Sequence, residues 1–364
     1  MTSQHPRAWS APGRVNLIGE HLDYHGGPVL PIAIDRRTRL TASVRADNRV
    51  VVRSDLADEP VEFTTDTSPG EVDGWAAYVA GTVWAMGAAG VDVPGLDLSV
   101  RSDVPLGAGL SSSAALECAV AAAIRDLADH EMDDIELALV AQQAENKYVG
   151  VPSGAMDQLA SSCGVAGHAL LIDTSGPTVQ AVPAQWSAAG LTLVVIDTAA
   201  AHELTDGGYA TRREESEAAA RTLGIDLLST ASTDDLGRLD DDVQRRRARH
   251  VVTETARVRA AVDSMADGDW QRVGELFTAS HLSLRDDYEV SAVELDVAVD
   301  TALAAGALGA RMTGGGFGGS AIALVADEHV DSLVAAVEKA FADSGFAEPT
   351  GFVVAPAAGA HRES

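Results

Sequence analysis

Near its N-terminus the chain reads Gly13-Arg14-Val15-Asn16-Leu17-Ile18-Gly19-Glu20-His21-Leu22-Asp23-Tyr24. An apolar, strand-like segment therefore ends abruptly in Glu20, His21 and Asp23, with Arg14 at its start. Charged groups in a protein interior need an ion-pair partner or a ligand, because an isolated buried charge is strongly destabilised. We expect the partner of these groups to be a small polyhydroxy molecule.

A first glycine-rich loop lies between a predicted strand and a predicted helix. It reads Gly107-Ala108-Gly109-Leu110-Ser111-Ser112-Ser113 and precedes an alanine-rich apolar helix predicted over 114–127. Glycines let a backbone approach an anion closely, and the following helix N-terminus supplies free N–H groups. The serines add hydroxyls for phosphate oxygens or a magnesium ion. Taken alone, this spacing fits a plain turn with a helix cap equally well.

The distribution of lysine excludes a Walker-type phosphate loop. The chain has two lysines, Lys147 and Lys339, and neither follows a glycine loop. A dinucleotide-binding fingerprint is disfavoured, because Ser113 replaces its third glycine and Pro105 interrupts the approach to the loop. Any nucleotide phosphate is therefore held by backbone N–H groups, a helix N-terminus, arginine or a metal ion.

A second glycine-rich loop follows near the other end of the chain. It reads Met312-Thr313-Gly314-Gly315-Gly316-Phe317-Gly318-Gly319, with five glycines in the six positions from 314 to 319. Glycine loses more backbone entropy on folding than any other residue. So dense a run predicts close packing of the backbone against a ligand or another loop, with a purely structural role as the alternative.

Asp157 stands between the two loops, after a turn rich in proline and glycine. The segment reads Gly150-Val151-Pro152-Ser153-Gly154-Ala155-Met156-Asp157-Gln158. A carboxylate in this apolar neighbourhood can serve as a general base if a cation tunes it. A helix cap is the alternative role.

The charge balance excludes nucleic acid as a partner. With 54 acidic and 26 basic residues, the 364-residue chain has a formal net charge of −28 and repels a polyphosphate backbone. Solubility explains the acidity, and a salt-adapted setting is the alternative. The basic cluster at 245–250 is predicted to be a solvated helix face with local ion pairs.

The sequence gives no sign of a membrane or secretory segment. Residues 1–10 have no apolar signal core, and no uninterrupted apolar run reaches ~18 residues. We therefore expect a soluble, cytoplasmic protein. Its two cysteines, Cys118 and Cys163, are predicted to be buried free thiols.

Strands and helices are mixed without the steady rhythm of a doubly wound sheet, which predicts an α+β fold. A loose stretch rich in Ser, Gly and Pro at 174–190 is the predicted boundary between two domains, 1–180 and 181–364. Strands are predicted over 15–18, 29–34, 39–44, 49–53, 96–100, 191–197, 320–325 and 351–354. Helices are predicted over 75–86, 114–127, 133–148, 209–223, 242–266, 270–284, 291–305 and 330–344.

Three segments occur in the order that is typical of the GHMP small-molecule kinase superfamily, which the chain resembles. They are 14–21, 105–115 and 313–319. The Glu-His-x-Asp-Tyr segment at 20–24 is similar to that of galactokinases, and blocks at 197–213, 249–254 and 280–288 extend the likeness over nearly the whole chain. The resemblance implies a two-domain fold whose active site lies in the cleft between an N-terminal and a C-terminal α/β domain.

The resemblance also implies an activity and roles for named residues. Galactokinases transfer the γ-phosphoryl group of ATP to the C1 hydroxyl of α-D-galactose and use Mg²⁺. Asp157 would be the base near that hydroxyl, and Arg14 would lie close to both the base and the transferred group. The implied sugar-binding residues are Glu20, His21, Asp23, Gly154, Asp157 and Tyr209.

The nucleotide and the metal ion have implied sites as well. The resemblance assigns the phosphates to the first glycine-rich loop, at Gly107, Ala108, Gly109, Leu110, Ser111, Ser112 and Ser113. Ser112 or Ser113, together with Glu145, would be the neighbours of Mg²⁺. Trp75, Val83 and the region 53–55 would frame the adenine, with Ser54 among the ATP-binding residues.

The chain departs from the usual galactokinase pattern at four positions, which leaves substrate breadth open. Leu22 stands where Thr is common and His25 where Asn is frequent, while Ser153 and Ala155 replace a frequent Cys and Ile. A GHMP kinase for N-acetylgalactosamine, arabinose or galacturonate is one alternative. A non-catalytic galactose sensor is another, which the complete serine segment at 111–115 disfavours. The expected partners are the sugar and ATP, without nucleic acid or membrane, in a monomer or weak homo-oligomer.

Overall fold

Three sheets and the helices packed on them form the framework of the protein. The structure is a computed structural model that describes residues 6–200 and 207–364. The strands are β1 (Arg7–Asn16), β2 (Pro28–Val29), β3 (Pro31–Val44), β4 (Arg49–Ser54), β5 (Val61–Thr64), β6 (Leu96–Ser102), β7 (His168–Asp173), β8 (Thr178–Pro183), β9 (Leu191–Asp197), β10 (Gly309–Thr313), β11 (Ser320–Ala326), β12 (Thr350–Val354) and β13 (His361–Arg362).

The helices come in two groups along the chain. They are α1 (Ala76–Ala88), α2 (Ser112–Leu127), α3 (Asp134–Gln143), α4 (Met156–Cys163), α5 (Gly208–Leu223), α6 (Asp242–Asp267), α7 (Trp270–Ser283), α8 (Val293–Ala304) and α9 (Val330–Ser344). π-Helical turns at Ala144–Val149 and Leu284–Tyr288 extend α3 and α7. The mixture of separate sheets and helices confirms the predicted α+β class.

The first sheet has six strands in the order β13-β1-β3-β6-β4-β5. Its neighbours are antiparallel except β4 and β6, which run parallel. A small sheet of β2, β7 and β8 follows, and β10-β11-β9-β12 form an antiparallel third sheet. One apolar core lies between the first sheet and α1 and α2, and it includes Trp9, Leu40 and Val83.

The second core joins the two ends of the chain. Val15 and Ile18, which follow Arg14 closely in sequence, share this core with Val195 of β9 and Ile322 of β11. Polar contacts reinforce the junction, because the Thr313 hydroxyl lies 3.0 Å from the Asn16 carbonyl oxygen, and the Asn16 amide lies 3.2 Å from the same hydroxyl. The segment quoted at the outset is therefore held from both halves of the sequence.

The stretch at 174–190, predicted to be loose, contains a strand. β8 pairs with β7 along its whole length, and a short 3₁₀ turn follows at Trp186–Ala189. The prediction was wrong because this strand is mostly exposed, with only Val182 buried among its apolar residues, so the usual apolar alternation is weak. The domain boundary between 180 and 181 stays a prediction, and β8 runs across it.

The basic cluster on α6 is only partly the solvated face that was predicted. Arg245 and Arg246 do pair with Asp242 on the surface. Arg247, in contrast, is 1% exposed and donates to Glu215 and Glu289 at 2.7 and 2.6 Å. A guanidinium can be buried when carboxylates surround it, and the linear sequence does not show that these acids converge on it.

Two further predictions concern the cysteines and the membrane. Cys118 and Cys163 are both free thiols, as predicted, but Cys118 is fully buried while Cys163 is partly exposed. Across residues 6–200 and 207–364, no helix has the length and apolar character needed to cross a bilayer.

Candidate active site

One cleft of about 680 Å³ brings together segments that are far apart in the chain. The turn after β1, the loop before α2, the start of α5 and the second glycine-rich loop all line it. Its lining includes Arg14, Glu20, His21, Asp23, Trp75, Tyr78, Gly107, Gly109, Leu110, Ser111, Ser112, Ser113, Glu145, Ser153, Gly154, Asp157, Tyr209, Gly314 and Gly315. Most of the predicted site residues therefore meet in a single cavity.

Arg14 and Asp157 form a bidentate ion pair inside this cleft. Arg14 Nε lies 2.7 Å from Asp157 Oδ1, and Nη2 lies 2.8 Å from Oδ2. The remaining guanidinium nitrogen donates to the Gly109 carbonyl at 2.5 Å, and the Ser111 hydroxyl donates to Asp157 Oδ2 at 2.5 Å. The acid and the cation are thus fixed against the first glycine-rich loop, and Asp157 keeps a quarter of its side chain exposed to the cleft.

The first glycine-rich loop has the backbone that an anion site requires. Gly107 and Gly109 have φ angles of 74° and 71°, and Ser111 is left-handed as well, with φ 57°. No side chain caps the first N–H groups of α2, which begins at Ser112. Because Ser111, Ser112 and Ser113 line the cleft, a phosphate bound there can accept from these donors at the positive end of the helix dipole.

Glu145 lies beside this loop in a cluster of acids and hydroxyls. It accepts from Ser113 Oγ at 3.1 Å, from Ser153 Oγ at 2.5 Å and from Gln158 Nε2 at 2.9 Å. Burial is the main cause of its raised pKa, to which the Asp157 charge adds. A divalent cation would offset this cost, and oxygen donors of this kind suit Mg²⁺. The contacts bring Ser113, rather than Ser112, to Glu145.

Asp23 and Gly154 meet within the cleft. A Cβ atom on Gly154 would stand 1.8 Å from Asp23 Oδ2, so only glycine fits at this position. Burial, and to a smaller degree the Asp157 charge, raises the pKa of Asp23 to about 7. The structure thus brings two carboxyl groups, Asp23 and Asp157, close enough to influence one another across the cavity.

Glu20 is bound mainly by the protein itself. Its Oε1 accepts from the Gly314 amide at 3.0 Å and lies 3.3 Å from the Thr313 hydroxyl, while Oε2 faces the guanidinium of Arg311. Arg311 is fully buried, and it also donates to the Leu17 carbonyl at 2.9 Å. Glu20 lines the cleft, but it also ties the turn after β1 to the second glycine-rich loop.

That second loop packs directly against the first, as its glycine density predicted. A Cβ atom on Gly314 would stand 3.0 Å from the Gly109 carbonyl oxygen, and one on Gly316 would stand 2.2 Å from the Val290 carbonyl oxygen. Both residues also have positive φ angles, 87° and 81°. Gly314 and Gly315 of this loop line the cleft.

His21 lies among aromatic rings beneath the cleft. Its backbone is left-handed, with φ 62°, and its ring packs on Tyr209 and Tyr288 with centroid distances of 5.5 and 4.8 Å. Burial, with a smaller effect of nearby His250, lowers the pKa of His21 to about 3, so the imidazole is neutral. Tyr209, at the start of α5, lines the cleft as well.

Of the residues predicted around the adenine, Trp75 lies in the cleft, whereas Val83 and Ser54 lie outside it. Trp75 lines the cleft, together with Tyr78, which the sequence analysis did not single out. Val83 is fully buried in the first core, because it lies on the face of α1 that packs inward. Ser54 ends β4, accepts from the Leu56 amide at 3.1 Å and does not line the cleft; its role in ATP binding stays a prediction.

The unusual residues Leu22 and His25 do not face the cleft. Leu22 is fully buried in the second core, and the His25 ring contacts Ser216 Oγ at 2.8 Å beneath the turn. Neither residue lines the cavity. They therefore affect a ligand only through the shape of the turn that carries them.

Sequence reasoning missed two buried residues behind the site. Gln158 Nε2 bridges Glu145 and Glu117, donating to each at 2.9 Å. Burial, followed by the Glu145 charge, raises the pKa of Glu117 well above its usual value. The position of Gln158 next to Asp157 was a signal, but nothing in the sequence shows that Glu117 turns inward from α2.

This fold and this cleft define a small-molecule kinase of the GHMP class. The GHMP kinases N terminal domain model matches residues 77–165, and the GHMP kinases C terminal model matches residues 260–343. The galactokinase galactose-binding signature matches residues 2–44, which include the turn with Glu20, His21 and Asp23. Within that class, the chain belongs to the galactokinase family.

Individual relatives support the same assignment. A galactokinase of Streptomyces coelicolor is 47% identical over 361 residues, covering 97% of this chain and 93% of its own length. A galactokinase of Mycobacterium tuberculosis is 45% identical over 345 residues, covering 94% of this chain and 95% of its own length. A crystal structure of Lactococcus lactis galactokinase complexed with galactose superposes with a TM-score of 0.94 at 34% identity, covering 99% of this chain and 96% of that one.

Proposed function

We propose that this protein transfers the γ-phosphoryl group of ATP to the C1 hydroxyl of α-D-galactose, giving galactose 1-phosphate and ADP. The galactokinase relatives and the galactose bound to the Lactococcus lactis enzyme support the substrate. The observation that carries the proposal is the Arg14–Asp157 ion pair, which lies between the turn with Glu20, His21 and Asp23 and the first glycine-rich loop.

In this proposal, Asp157 faces the attacking hydroxyl and accepts its hydrogen bond. Whether it takes the proton early or mainly orients the hydroxyl depends on how loose the transition state is. Arg14 holds the carboxylate in one orientation through two hydrogen bonds. Its charge also stabilises the negative charge of the transferred group, which is the main task of a phosphoryl-transfer site.

The sugar is held by acceptors and by backbone in the cleft. Its lining there includes Asp23, His21, Tyr209, Gly154 and Glu20. Buried groups that are matched to particular hydroxyls reject an epimer, because the epimer leaves one of them unpaired. This accounts for selectivity for one hexose over another.

ATP binds along the first glycine-rich loop, with its phosphates on the uncapped N–H groups of α2 and its base toward Trp75 and Tyr78. Ser113 and Glu145, with Ser112 nearby, would hold Mg²⁺ on the phosphates. The bound metal would supply positive charge to the phosphate oxygens. We place the protein in the cytoplasm, where ATP is abundant, as a monomer or weak homo-oligomer.

An ATP-consumption assay tests this function directly. Galactose, glucose, N-acetylgalactosamine and mevalonate are compared side by side at equal concentrations, and ADP release is measured. We expect turnover with galactose at least about fivefold above that with any other acceptor, since one mismatched buried polar group costs about 1–3 kcal/mol. Preference for another acceptor would overturn the assignment of the substrate.

A magnesium titration tests the metal site. Glu145→Gln is expected to raise the Mg²⁺ concentration for half-maximal rate, because it removes a charged ligand while keeping the shape of the side chain. Exposed Glu131→Gln is the control. An unchanged magnesium dependence in Glu145→Gln would remove this residue from the site.

A further inference from the structure

A chain of hydrogen bonds runs from His21 into the protein beneath the cleft. His21 Nδ1 lies 2.8 Å from Tyr24 Oη, which lies 2.9 Å from Tyr288 Oη. Tyr288 Oη lies 3.1 Å from Ser216 Oγ, and Ser216 Oγ lies 2.8 Å from His25 Nε2. Ser216 and Tyr288 are fully buried, so these groups have each other rather than solvent as partners.

Ser216 fixes the direction of this chain, because its hydroxyl has a single hydrogen. The carbonyl oxygens of Arg212 and Arg213, in the preceding turn of α5, each lie 2.9 Å from Ser216 Oγ. A carbonyl can only accept, so the serine hydrogen is directed to one of them. The serine oxygen then accepts from Tyr288 and from His25.

The remaining hydrogens follow in order. Since Tyr288 donates to Ser216, its oxygen accepts from the hydroxyl of Tyr24. The oxygen of Tyr24 in turn accepts from His21, which places a hydrogen on Nδ1 of that imidazole. Burial lowers the pKa of His21 and of His25 to about 3, so each neutral ring carries one hydrogen. His21 Nε2 is therefore left with a free lone pair.

The surroundings of His21 Nε2 leave its lone pair available to a ligand in the cleft. Nε2 is buried without a hydrogen-bond partner in the described structure, and His21 lines the cleft. The backbone of Gly315 also faces the ring and acts to raise its pKa, so it favours the opposite tautomer with hydrogen on Nε2. The connected hydroxyl groups of Tyr24, Tyr288 and Ser216 favour the other tautomer, with hydrogen on Nδ1.

We propose that Ser216, Tyr288 and Tyr24 are positioning residues that set the tautomer of His21. They hold its hydrogen on Nδ1, so that Nε2 accepts a hydrogen bond from one hydroxyl of the bound substrate. That the hydroxyl belongs to a sugar rests on the proposed function. The substrate group opposite His21 must then be a donor, and an analogue with fluorine in place of that hydroxyl leaves Nε2 unpaired.

Nuclear magnetic resonance of the sugar-free protein tests the tautomer. The protein is labelled with ¹⁵N-histidine, and two-bond ¹H–¹⁵N correlations report which ring nitrogen carries the hydrogen. His21→Gln assigns the His21 signals by their loss. We expect hydrogen on Nδ1 in the wild-type protein, and hydrogen on Nε2 would overturn the proposal.

Tyr288→Phe tests the role of the chain. It removes the acceptor of the Tyr24 hydroxyl, which can then donate to His21 Nδ1 and move the ring hydrogen to Nε2. Tyr148→Phe is the matched control, because its buried hydroxyl contacts Thr67 at 2.6 Å and not this chain. Thermal unfolding is measured for both variants to check that they fold. A folded Tyr288→Phe protein with an unchanged His21 tautomer would overturn the proposal.

Kinetics with deoxyfluoro-galactoses provide a second readout. For the fluoro analogue at the position opposite His21, wild type is expected to prefer the hydroxyl compound by about tenfold in kcat/KM, the value of one hydrogen bond. In Tyr288→Phe this preference should narrow or reverse, with the change mainly in KM. An equal loss of kcat/KM in Tyr288→Phe for every analogue would indicate that Tyr288 has a merely structural role. If no sugar is turned over, the proposed function fails, whereas the tautomer measurement still decides this inference.

Discussion

Arg14 and Asp157 are separated by 143 residues, yet their side chains form two hydrogen bonds of 2.7 and 2.8 Å. Arg14 lies on β1 and Asp157 in the first turn of α4, where the helix dipole favours a carboxylate. The pair lies in the cleft with the turn that carries Glu20, His21 and Asp23 and with the first glycine-rich loop. Its position explains why neither motif alone defines the reaction.

Asp157→Asn should abolish turnover while leaving galactose affinity within about tenfold. The amide keeps the shape of the side chain but loses the charge and the basicity that the attacking hydroxyl requires, an effect of about 10²–10⁴ in kcat. ADP release measures kcat, and calorimetry measures sugar binding. Asp173→Asn, at the exposed end of β7, is the control. An unchanged kcat would remove Asp157 from the mechanism.

Glu20→Ala should destabilise the fold and weaken galactose binding more than ATP binding. It leaves buried Arg311 without its carboxylate, which costs about 3–5 kcal/mol in the free energy of unfolding. Urea unfolding measures this loss, and exposed Glu131→Ala should stay within about 0.5 kcal/mol of wild type. Equal weakening of both ligands would indicate that Glu20 only supports the structure.

Gly154→Ala should raise the KM for galactose by more than about tenfold and leave ATP binding nearly unchanged. The added Cβ would stand 1.8 Å from Asp23 Oδ2, so the carboxyl group must move away from its position in the cleft. Steady-state kinetics with each substrate varied in turn separate the two effects. Gly176→Ala, whose Cβ would meet nothing within 4 Å, provides the comparison. Normal galactose kinetics in Gly154→Ala would show that Asp23 needs no fixed position.

The carboxyl group of Asp23 should make stability depend on pH. Burial first, and the Asp157 charge second, raises its pKa from 3.8 to about 7. Between these values the folded state binds a proton that the unfolded state lacks, so stability falls as pH rises through this window. We therefore expect sugar-free wild type to lose stability relative to Asp23→Asn between about pH 4 and pH 7.

Urea unfolding of both proteins at each pH measures this difference. His21 and His25 also make stability depend on pH, because their lowered pKa values mean that the folded state loses stability as pH falls below 6.5. Both proteins contain these histidines, so their contribution cancels in the difference between wild type and Asp23→Asn. A difference between wild type and Asp23→Asn that stays constant from pH 4 to pH 8 would contradict the expectation.

The sequence predicted the local elements of this site well. The two glycine-rich loops, the helix after the serines and the acids at 20 and 23 follow from residue chemistry and spacing. The helix predicted over 133–148 is present as α3 and its π-helical turn, and Asp133 caps it through a reciprocal contact with Glu136. Such features depend on neighbours within a few residues, which a linear sequence records.

Apart from Arg14 beside Asp157, which the family resemblance implied, the partners across the site could not be predicted from the sequence. Periodicity shows that a residue is buried, but it does not show what the residue meets, as with Arg311 behind Glu20 and Glu117 behind Gln158. The resemblance implied that Val83 frames the adenine with Trp75, yet Val83 faces the first core. The orientation of a helix is decided by tertiary packing, which spacing alone leaves open.

The contact between Asn16 and Thr313 joins positions 297 residues apart. Closing so large a segment is slow, because the loss of chain entropy comes before the contact contributes any stabilisation. During refolding, helices that form locally can recover early, whereas the turn after β1 acquires its final shape only when strands from the two ends of the chain have met. Enzymatic activity should therefore return later than the helical circular dichroism signal during refolding. The delay between the two signals measures the time that the helical chain needs to complete the cleft.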